Sequence, residues 1–186
     1  MDHRTYLDFL HRIEKLKCNT RHSWTSSGRQ ESVAEHSWRL SVMAMLCADE
    51  YPDLDMNKVI KMCLIHDFGE AITGDIPSFL KTEAHEQAEN SAVRALISSL
   101  PADTSEELTQ LFRELNEGST GEARLCMALD KIETLISHNE ADLSTWLEKE
   151  YTESLVYGDK ASACSDWTRD LREIVRQDTR SKILKP

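Results

Sequence analysis

The stretch NKVIKMCLIHDFGEAITGDIPS, residues 57–78, is the most informative part of the chain for fold and function. Its first half places apolar residues at helical spacing, and Asp55 stands where a helix N-cap is expected. The predicted helix ends in an adjacent pair of ionisable residues, His66 and Asp67. Two glycines and Pro77 then interrupt the pattern, and the proline favours an extended, rigid backbone before it. The stretch therefore predicts a helix that leads a His-Asp pair into a rigid loop.

Outward from this stretch, the spacing of apolar residues predicts further helices and no strand with period-2 alternation. Ser32 and Glu35 have capping-box spacing ahead of a second helix, and the polar segment 19–30 is expected to be an ordered loop. The predicted fold class is all-α, a single domain of about six to eight helices in one bundle. Residues 5–140 carry the motifs, and helices within 145–184 are expected to pack on them.

Composition excludes several classes of function. The 186 residues include 33 acidic and 22 basic side chains, and the formal net charge of -11 disfavours nucleic acid as a partner. The N-terminus lacks the apolar region of a secretory signal, and no apolar run approaches the roughly 18 residues that span a bilayer. Five cysteines form no CxxC pair; Cys47, Cys63 and Cys126 lie in apolar runs. We therefore expect free thiols and a cytoplasmic location without membrane contact.

Four ionisable residues stand where an apolar environment is predicted. His36 shares the inner face of the second helix, His66 and Asp67 end the third, and Asp130 lies within the apolar segment CMALDKIETLI. Burying such groups is costly unless a partner compensates them, and a divalent cation is one such partner. A satisfied core histidine and a simple His-Asp hydrogen bond are the alternatives for the first three. The alternatives for Asp130 are contacts with Thr134, Lys131 or Arg124.

The donor set would suit particular metals. Two imidazoles and two carboxylates favour Mn²⁺, Co²⁺, Fe²⁺, Ni²⁺ or Zn²⁺ over Ca²⁺, with Mg²⁺ a poorer match. Four protein ligands would leave one or two positions open for a water and a phosphate oxygen on a single five- or six-coordinate ion.

Three segments carry a family resemblance: ESVAEHSWRL (31–40), CLIHDFGEAITGDIPS (63–78) and ALDKIETLI (128–136). Together they resemble the HD-domain metal-dependent phosphohydrolases, and among these the small YfbR-type 5′-deoxynucleotidases. The resemblance implies a helical HD domain, a nucleotide substrate and a homodimer. The two-metal branches of the family would require two further histidines between the HD pair and the last aspartate. Only His85 stands there, so the resemblance favours a single metal ion.

Matching positions imply roles for individual residues. The metal ligands would be His36, His66, Asp67 and Asp130. Glu70 would orient or deprotonate the attacking water and Asp75 would assist the leaving oxygen, although each could instead be a surface or turn carboxylate. Arg21 would bind the phosphate, with His22 and Trp24 as neighbouring substrate-binding residues, although Arg21 could instead be a solvated loop arginine. His22 stands where the deoxynucleotidases have a tryptophan that discriminates against the ribose 2′-hydroxyl.

These observations predict hydrolysis of nucleoside 5′-monophosphates, in particular deoxyribonucleotides, to nucleoside and phosphate. The alternatives are a triphosphohydrolase of the same fold and a catalytically silent nucleotide-binding protein. A triphosphohydrolase needs several cations, for which the candidates are Arg21, Arg29, Arg39, Lys61 and Lys81. The other histidines, His3, His11 and His138, are expected at the surface. The tryptophans Trp38, Trp146 and Trp167 are expected in the core or at an interface.

Overall fold

A computed structural model describes residues 1–184 and confirms the all-α prediction. Among these residues, seven helices have ten residues or more. The elements in chain order are α1 His3–Ile13, β1 Thr20–Trp24, β2 Gln30–Ser32, α2 Val33–Leu46, α3 Met56–Ile65, α4 Glu70–Thr73, α5 Glu83–Ile97, α6 Ala102–Glu117, α7 Gly121–Glu140, α8 Glu150–Glu153, α9 Asp159–Ser162 and α10 Asp166–Leu184. Short 3-10 turns cover Glu14–Lys17, Ala48–Glu50 and Leu143–Thr145.

Local sequence explains where the main helices begin. Ser32 and Glu35 form the predicted capping box at the start of α2. The Asp55 carboxylate accepts from the Lys58 amide at 3.1 Å and caps α3. Thr82 caps α5 in the same manner. Because a side chain that caps a helix supplies an acceptor for an otherwise unpaired amide, each of these starts is fixed by nearby residues.

The core lies between α2, α3 and α7. Leu40, Val59 and Leu129, one from each helix, have no exposed surface and belong to one apolar cluster. A smaller cluster joins α7 to α10, where Val175 packs with residues of α7. Gly69 lies where α4 meets α5, and a Cβ there would come within 2.9 Å of a backbone oxygen of α5. The close approach of α4 to α5 therefore depends on a residue without a side chain.

The expectation of a loop over 19–30 was wrong. β1 and β2 form an antiparallel hairpin, with Thr20 opposite Ser32 and Trp24 opposite Gln30. A turn closed by a hydrogen bond from the Gly28 amide to the Thr25 carbonyl joins them. Strands of five and three residues show too few alternations to give a period-2 signal in the sequence.

Cysteines and tryptophans divide between interior and surface. Cys47, Cys63 and Cys126 are buried free thiols, as predicted. Trp146 is buried, Trp167 packs against the core, and Trp38 is 65% exposed on α2. Among the helices of residues 1–184, none combines the length and hydrophobicity required to cross a bilayer.

Candidate functional site

The four predicted metal ligands converge on one point between α2, α3 and α7. His36 Nε2 lies 3.2 Å from His66 Nε2 and 3.2 Å from Asp130 Oδ1. His66 Nε2 lies 3.0 Å from Asp67 Oδ2 and 3.9 Å from Asp130 Oδ1. The ligand atoms of His36, His66 and Asp67 all lie within 4.8 Å of one another, a spacing that can hold a metal ion. The bundle thus gathers residues that are 30 and 63 positions apart in the sequence.

Each of the two imidazoles has a partner at Nδ1 that fixes the orientation of its ring. His66 Nδ1 donates to the Cys63 carbonyl at 2.9 Å, and His36 Nδ1 contacts the Glu133 carboxylate. Each ring therefore presents Nε2 to the other ring and to the two aspartates. Two ring nitrogens and two carboxylates that face one another in this way match the ligand set of a divalent cation.

The carboxylates make the electrostatic potential at this point negative. Burial disfavours the charged form of His66, but Asp67 and then Asp130 outweigh it and raise the pKa of His66 to about 10. Burial also opposes ionisation of Asp130, but Lys131 and the two histidines hold the pKa of that carboxyl below its usual range. The site therefore attracts positive charge.

Glu70 lies at the start of α4, beside these ligands. Burial, followed by the charges of Asp67 and Asp75, raises the pKa of Glu70 to about 9. Its Oε2 is buried and has no hydrogen-bond partner among residues 1–184. Oxygen atoms of Asp67, Glu70 and Glu89 also lie within 4.8 Å of one another, which makes a second group of possible cation ligands. Glu89 is already paired with Lys81 at 2.5 Å.

A cavity opens beside the ligands and includes Asp67, Glu70, Asp75 and Asp130 in its lining. Gly74, with φ at +74°, turns the chain ahead of Asp75. Burial is the main cause that raises the pKa of Asp75.

Of the residues that the structure describes, three with cationic side chains line the same cavity: Arg21, Lys81 and Lys131. Arg29 instead pairs with Glu35, Arg39 with Glu133 and Glu140, and Lys61 with Glu107. None of these last three cations lines the cavity. The lining also includes His22, Phe79, His138, Glu150, Glu153 and Tyr157.

Arg21 is held at the cavity by β1. Its side chain is 11% exposed, and Nη2 donates to Thr134 Oγ1 at 3.1 Å. Nη1 lies 3.5 Å from both Glu31 Oε2 and Glu133 Oε2. Burial opposes the charge, but Glu133, Asp67 and other carboxylates raise the pKa of Arg21. Its guanidinium is thus oriented before any substrate binds.

The two aromatic candidates next to Arg21 differ in position. His22 lines the cavity and lies 3.1 Å from Glu150 through Nε2. The structure does not place Trp24 in the cavity lining; its ring packs edge-on against His22 with centroids 5.1 Å apart. Two residues along an extended strand advance the chain by roughly 6.6 Å, which carries Trp24 past the opening.

Other predictions from sequence need correction or addition. His138 was expected at the surface, but it lines the cavity and donates from Nε2 to the His22 carbonyl at 3.2 Å. Lys131 and Glu133 were missed as site residues. Glu133 has no exposed surface and lies three positions after Asp130. A second carboxylate among apolar residues of α7 was a signal that the sequence did contain.

The chain matches one protein family and several known proteins. The sequence model of the family described as HD domain matches residues 13–175. The chain is 32% identical over 168 residues to the 5′-deoxynucleotidase hdd1 of Schizosaccharomyces pombe, covering 81% of this chain and 84% of that protein. It is 33% identical over 142 residues to the 5′-deoxynucleotidase HDDC2 of Homo sapiens, covering 74% of this chain and 68% of that protein.

A solved structure from Magnetospirillum magnetotacticum, described as a predicted metal-dependent phosphohydrolase, superposes with a TM-score of 0.83. It is 29% identical in sequence and the alignment covers 98% of this chain and 95% of that one. The elements that carry the histidines and aspartates therefore belong to a fold already seen in solved structures.

Proposed function

Because this chain belongs to the HD-domain family of metal-dependent phosphohydrolases, we propose that it hydrolyses nucleoside 5′-monophosphates to nucleoside and phosphate. One observation carries the proposal: His36, His66, Asp67 and Asp130 converge beside a cavity that Arg21 also lines. The relatives named 5′-deoxynucleotidases support a nucleotide monoester as substrate.

The proposed chemistry divides between the ion and the protein. His36, His66, Asp67 and Asp130 would hold a divalent ion, which when bound supplies Lewis acidity toward phosphate and water. Arg21 neutralises the phosphate and fixes it through its planar fork. Asp75, whose pKa is raised by burial, assists the leaving 5′-oxygen.

Glu70 is the proposed base or orienting group for the attacking water. In the metal-free protein its pKa of about 9 keeps it protonated at neutral pH. A cation beside it favours the carboxylate, because an opposite charge stabilises the ionised form. Glu70 therefore becomes a proton acceptor only when positive charge is present in the site.

The metal is proposed to be a single first-row ion among Mn²⁺, Co²⁺, Fe²⁺, Ni²⁺ and Zn²⁺. Metal analysis of the purified protein tests the number of ions, and Asp67→Ala is expected to lose the ion. Asp103→Ala on the exposed start of α6 is the matched control. A stoichiometry of two would assign a further ion to the group formed by Asp67, Glu70 and Glu89.

Charge on the cavity walls favours one phosphate over three. In the described part of the chain, Arg21, Lys81 and Lys131 are the cations of the lining, and each already lies within 4.0 Å of a carboxylate. Glu150 and Glu153 in the same lining disfavour additional phosphates. The triphosphohydrolase alternative therefore has weaker support than the monophosphatase.

Sugar preference is proposed to depend on His22, since it lines the same cavity as Arg21. Deoxyribonucleotides are the proposed substrates, in keeping with the named relatives. An imidazole can hydrogen-bond a hydroxyl, so ribonucleotides are included in the test.

Two further proposals concern the setting of the protein. A homodimer is supported by Trp38 and Met45, one heptad apart on α2 and 65% and 56% exposed. Light scattering of the wild type and of Trp38→Lys tests the homodimer, and the variant is expected to be monomeric.

A cytoplasmic location is supported by the five free cysteines.

The deciding experiment is phosphate release from ribo- and deoxyribonucleoside mono-, di- and triphosphates by metal-stripped protein refilled with Mn²⁺, Co²⁺, Mg²⁺ or Zn²⁺. We expect orthophosphate from monophosphates, only with added metal. Tripolyphosphate from triphosphates alone would support the triphosphohydrolase. If no nucleotide released phosphate although metal was bound, the result would support the alternative of a catalytically silent nucleotide-binding protein.

A further inference from the structure

The buried Glu133 carboxylate connects two parts of the site. Its Oε2 contacts His36 Nδ1 and lies 3.5 Å from Arg21 Nη1. Its other oxygen, Oε1, accepts from Arg39 Nε at 2.6 Å and from Ser137 Oγ at 3.2 Å. Both oxygens are therefore in use, and Oε2 alone touches a proposed metal ligand and the proposed phosphate-binding residue.

Charges around Glu133 are balanced without a metal. Atoms of Glu31, His36 and Glu133 lie within 4.8 Å of one another, which by itself could suggest a cation site. Arg21 and Arg39, however, lie within 4.0 Å of both glutamates and compensate them. The cluster is thus a paired network that supports the site.

The direction of the His36 contact has a chemical consequence. A carboxylate has no proton to give, so it accepts from His36 Nδ1–H. The proton on Nδ1 leaves the lone pair of Nε2 free to bind a metal, and Nε2 is the atom that faces His66 and Asp130. An acceptor at Nδ1 therefore selects the ligating form of the ring.

We propose that Glu133 is a positioning residue that keeps His36 in its metal-ligating tautomer and holds Arg21 at the cavity. The proposal rests on the metal site and on the phosphate-binding role of Arg21 given under the proposed function. Because one oxygen serves both residues, a change at Glu133 weakens metal binding and phosphate binding together.

Glu133→Gln tests the proposal with little change of shape. An amide has one oxygen, so it cannot accept on both sides as the carboxylate does. If the oxygen stays with Arg39, the amide NH₂ faces His36 Nδ1 and favours the tautomer with the proton on Nε2. Loss of a group that orients a metal ligand typically costs about 10- to 100-fold in metal affinity.

The matched control is Glu140→Gln. Glu140 also pairs with Arg39, at 2.5 Å, but it is exposed and touches neither His36 nor Arg21. Co²⁺ affinity of the metal-stripped proteins is measured by calorimetry, and the Co²⁺ absorption spectrum reports the ligand geometry. Inorganic phosphate affinity of the Co²⁺-loaded proteins is measured in the same way.

We expect Glu133→Gln to bind Co²⁺ about 10- to 100-fold more weakly with an altered spectrum, and to bind phosphate more weakly. Glu140→Gln should match the wild type in both. Wild-type Co²⁺ affinity and spectrum in Glu133→Gln would overturn the proposal. Weaker Co²⁺ binding with unchanged phosphate binding would overturn the part that concerns Arg21.

A measurement on the wild type covers the case in which Glu133→Gln does not fold. NMR of the Zn²⁺-loaded protein should show a strongly hydrogen-bonded proton on His36 Nδ1; coordination through Nδ1 would overturn the proposal. If the wild type bound neither Co²⁺ nor Zn²⁺, the proposed metal site itself would fail, which separates that outcome from failure of the role of Glu133.

Discussion

The Lys131 ammonium lies 2.9 Å from Asp130 Oδ2, while Oδ1 of the same carboxylate lies 3.2 Å from His36 Nε2. The two oxygens of Asp130 therefore have separate partners, one cationic and one in the proposed metal site. The charge of Asp130 is the main cause that raises the pKa of Lys131, which stays protonated at all physiological pH values. Lys131 also lies 5.6 Å from the Tyr157 ring centroid.

Removing this ammonium should weaken substrate binding. Lys131→Met keeps the length of the side chain and removes one of the cations that line the cavity. A hydrogen bond to a charged group contributes roughly 1.5–3 kcal/mol, so we expect kcat/KM to fall by about 10- to 100-fold. Steady-state kinetics on a monophosphate measures this. Lys160→Met at an exposed position is the control, and equal kinetics in both variants would exclude Lys131 from the site.

Replacing Arg21 by lysine should separate charge from geometry. The variant keeps a cation but loses the fork that contacts Glu31, Glu133 and Thr134 at once. We expect KM for a monophosphate to rise by about tenfold or more. Arg29→Lys serves as control because Arg29 is exposed and pairs with Glu35 outside the cavity. A KM for Arg21→Lys within the error of the wild type would contradict the phosphate-binding role.

Glu70→Gln should separate metal binding from turnover. The amide keeps the shape of the side chain but cannot accept a proton from water. Removal of a general base typically lowers the rate by about 10²–10⁴-fold, so we expect kcat to fall in that range. Metal content measured on the same preparation should stay at the wild-type value. Full activity would remove Glu70 from the mechanism.

The same variant should change how stability depends on pH. In the metal-free protein the pKa of Glu70 is raised to about 9, so the folded state binds a proton more tightly than the unfolded state. Its contribution to stability is therefore complete below the unfolded pKa of 4.5 and is lost progressively as pH rises toward 9. Glu70→Gln has no such loss.

Melting temperatures of the metal-free wild type and of metal-free Glu70→Gln, from pH 4 to pH 9, measure this difference in the pH dependence of stability. We expect the curves to diverge above pH 4.5, with Glu70→Gln the more stable protein. Parallel curves would mean that the carboxyl ionises in the folded state without cost.

Features set by neighbouring residues were predictable from the sequence. The capping box of Ser32 and Glu35 and the cap at Asp55 depend on contacts within four positions. The convergence of the H…HD…D residues was anticipated because helix faces and a family resemblance both pointed to it. Their distances now agree with that expectation, while their metal-binding role stays a prediction.

Features that depend on distant segments were not predictable from local patterns. His138 lies in the cavity wall because β1 crosses α7, so that its Nε2 meets the His22 carbonyl 116 positions away. Glu150 enters the same wall because the chain returns past α7 after Ala141. Trp24 was misplaced because neither the hairpin nor its register could be seen in so few residues.

One helix, α7, carries a large share of the site on about two turns. The residues concerned are Asp130, Lys131, Glu133, Thr134, Ser137 and His138. Each residue of an α-helix turns the chain by about 100°, so one amino acid inserted between Cys126 and Asp130 would rotate this whole set away from α2 and α3. Seven inserted residues would nearly restore the direction but displace the set by about 10 Å along the axis. An insertion or deletion in this part of α7 would therefore separate these side chains from their partners on α2 and α3, whereas a change of length in a connection between helices would leave the set in register.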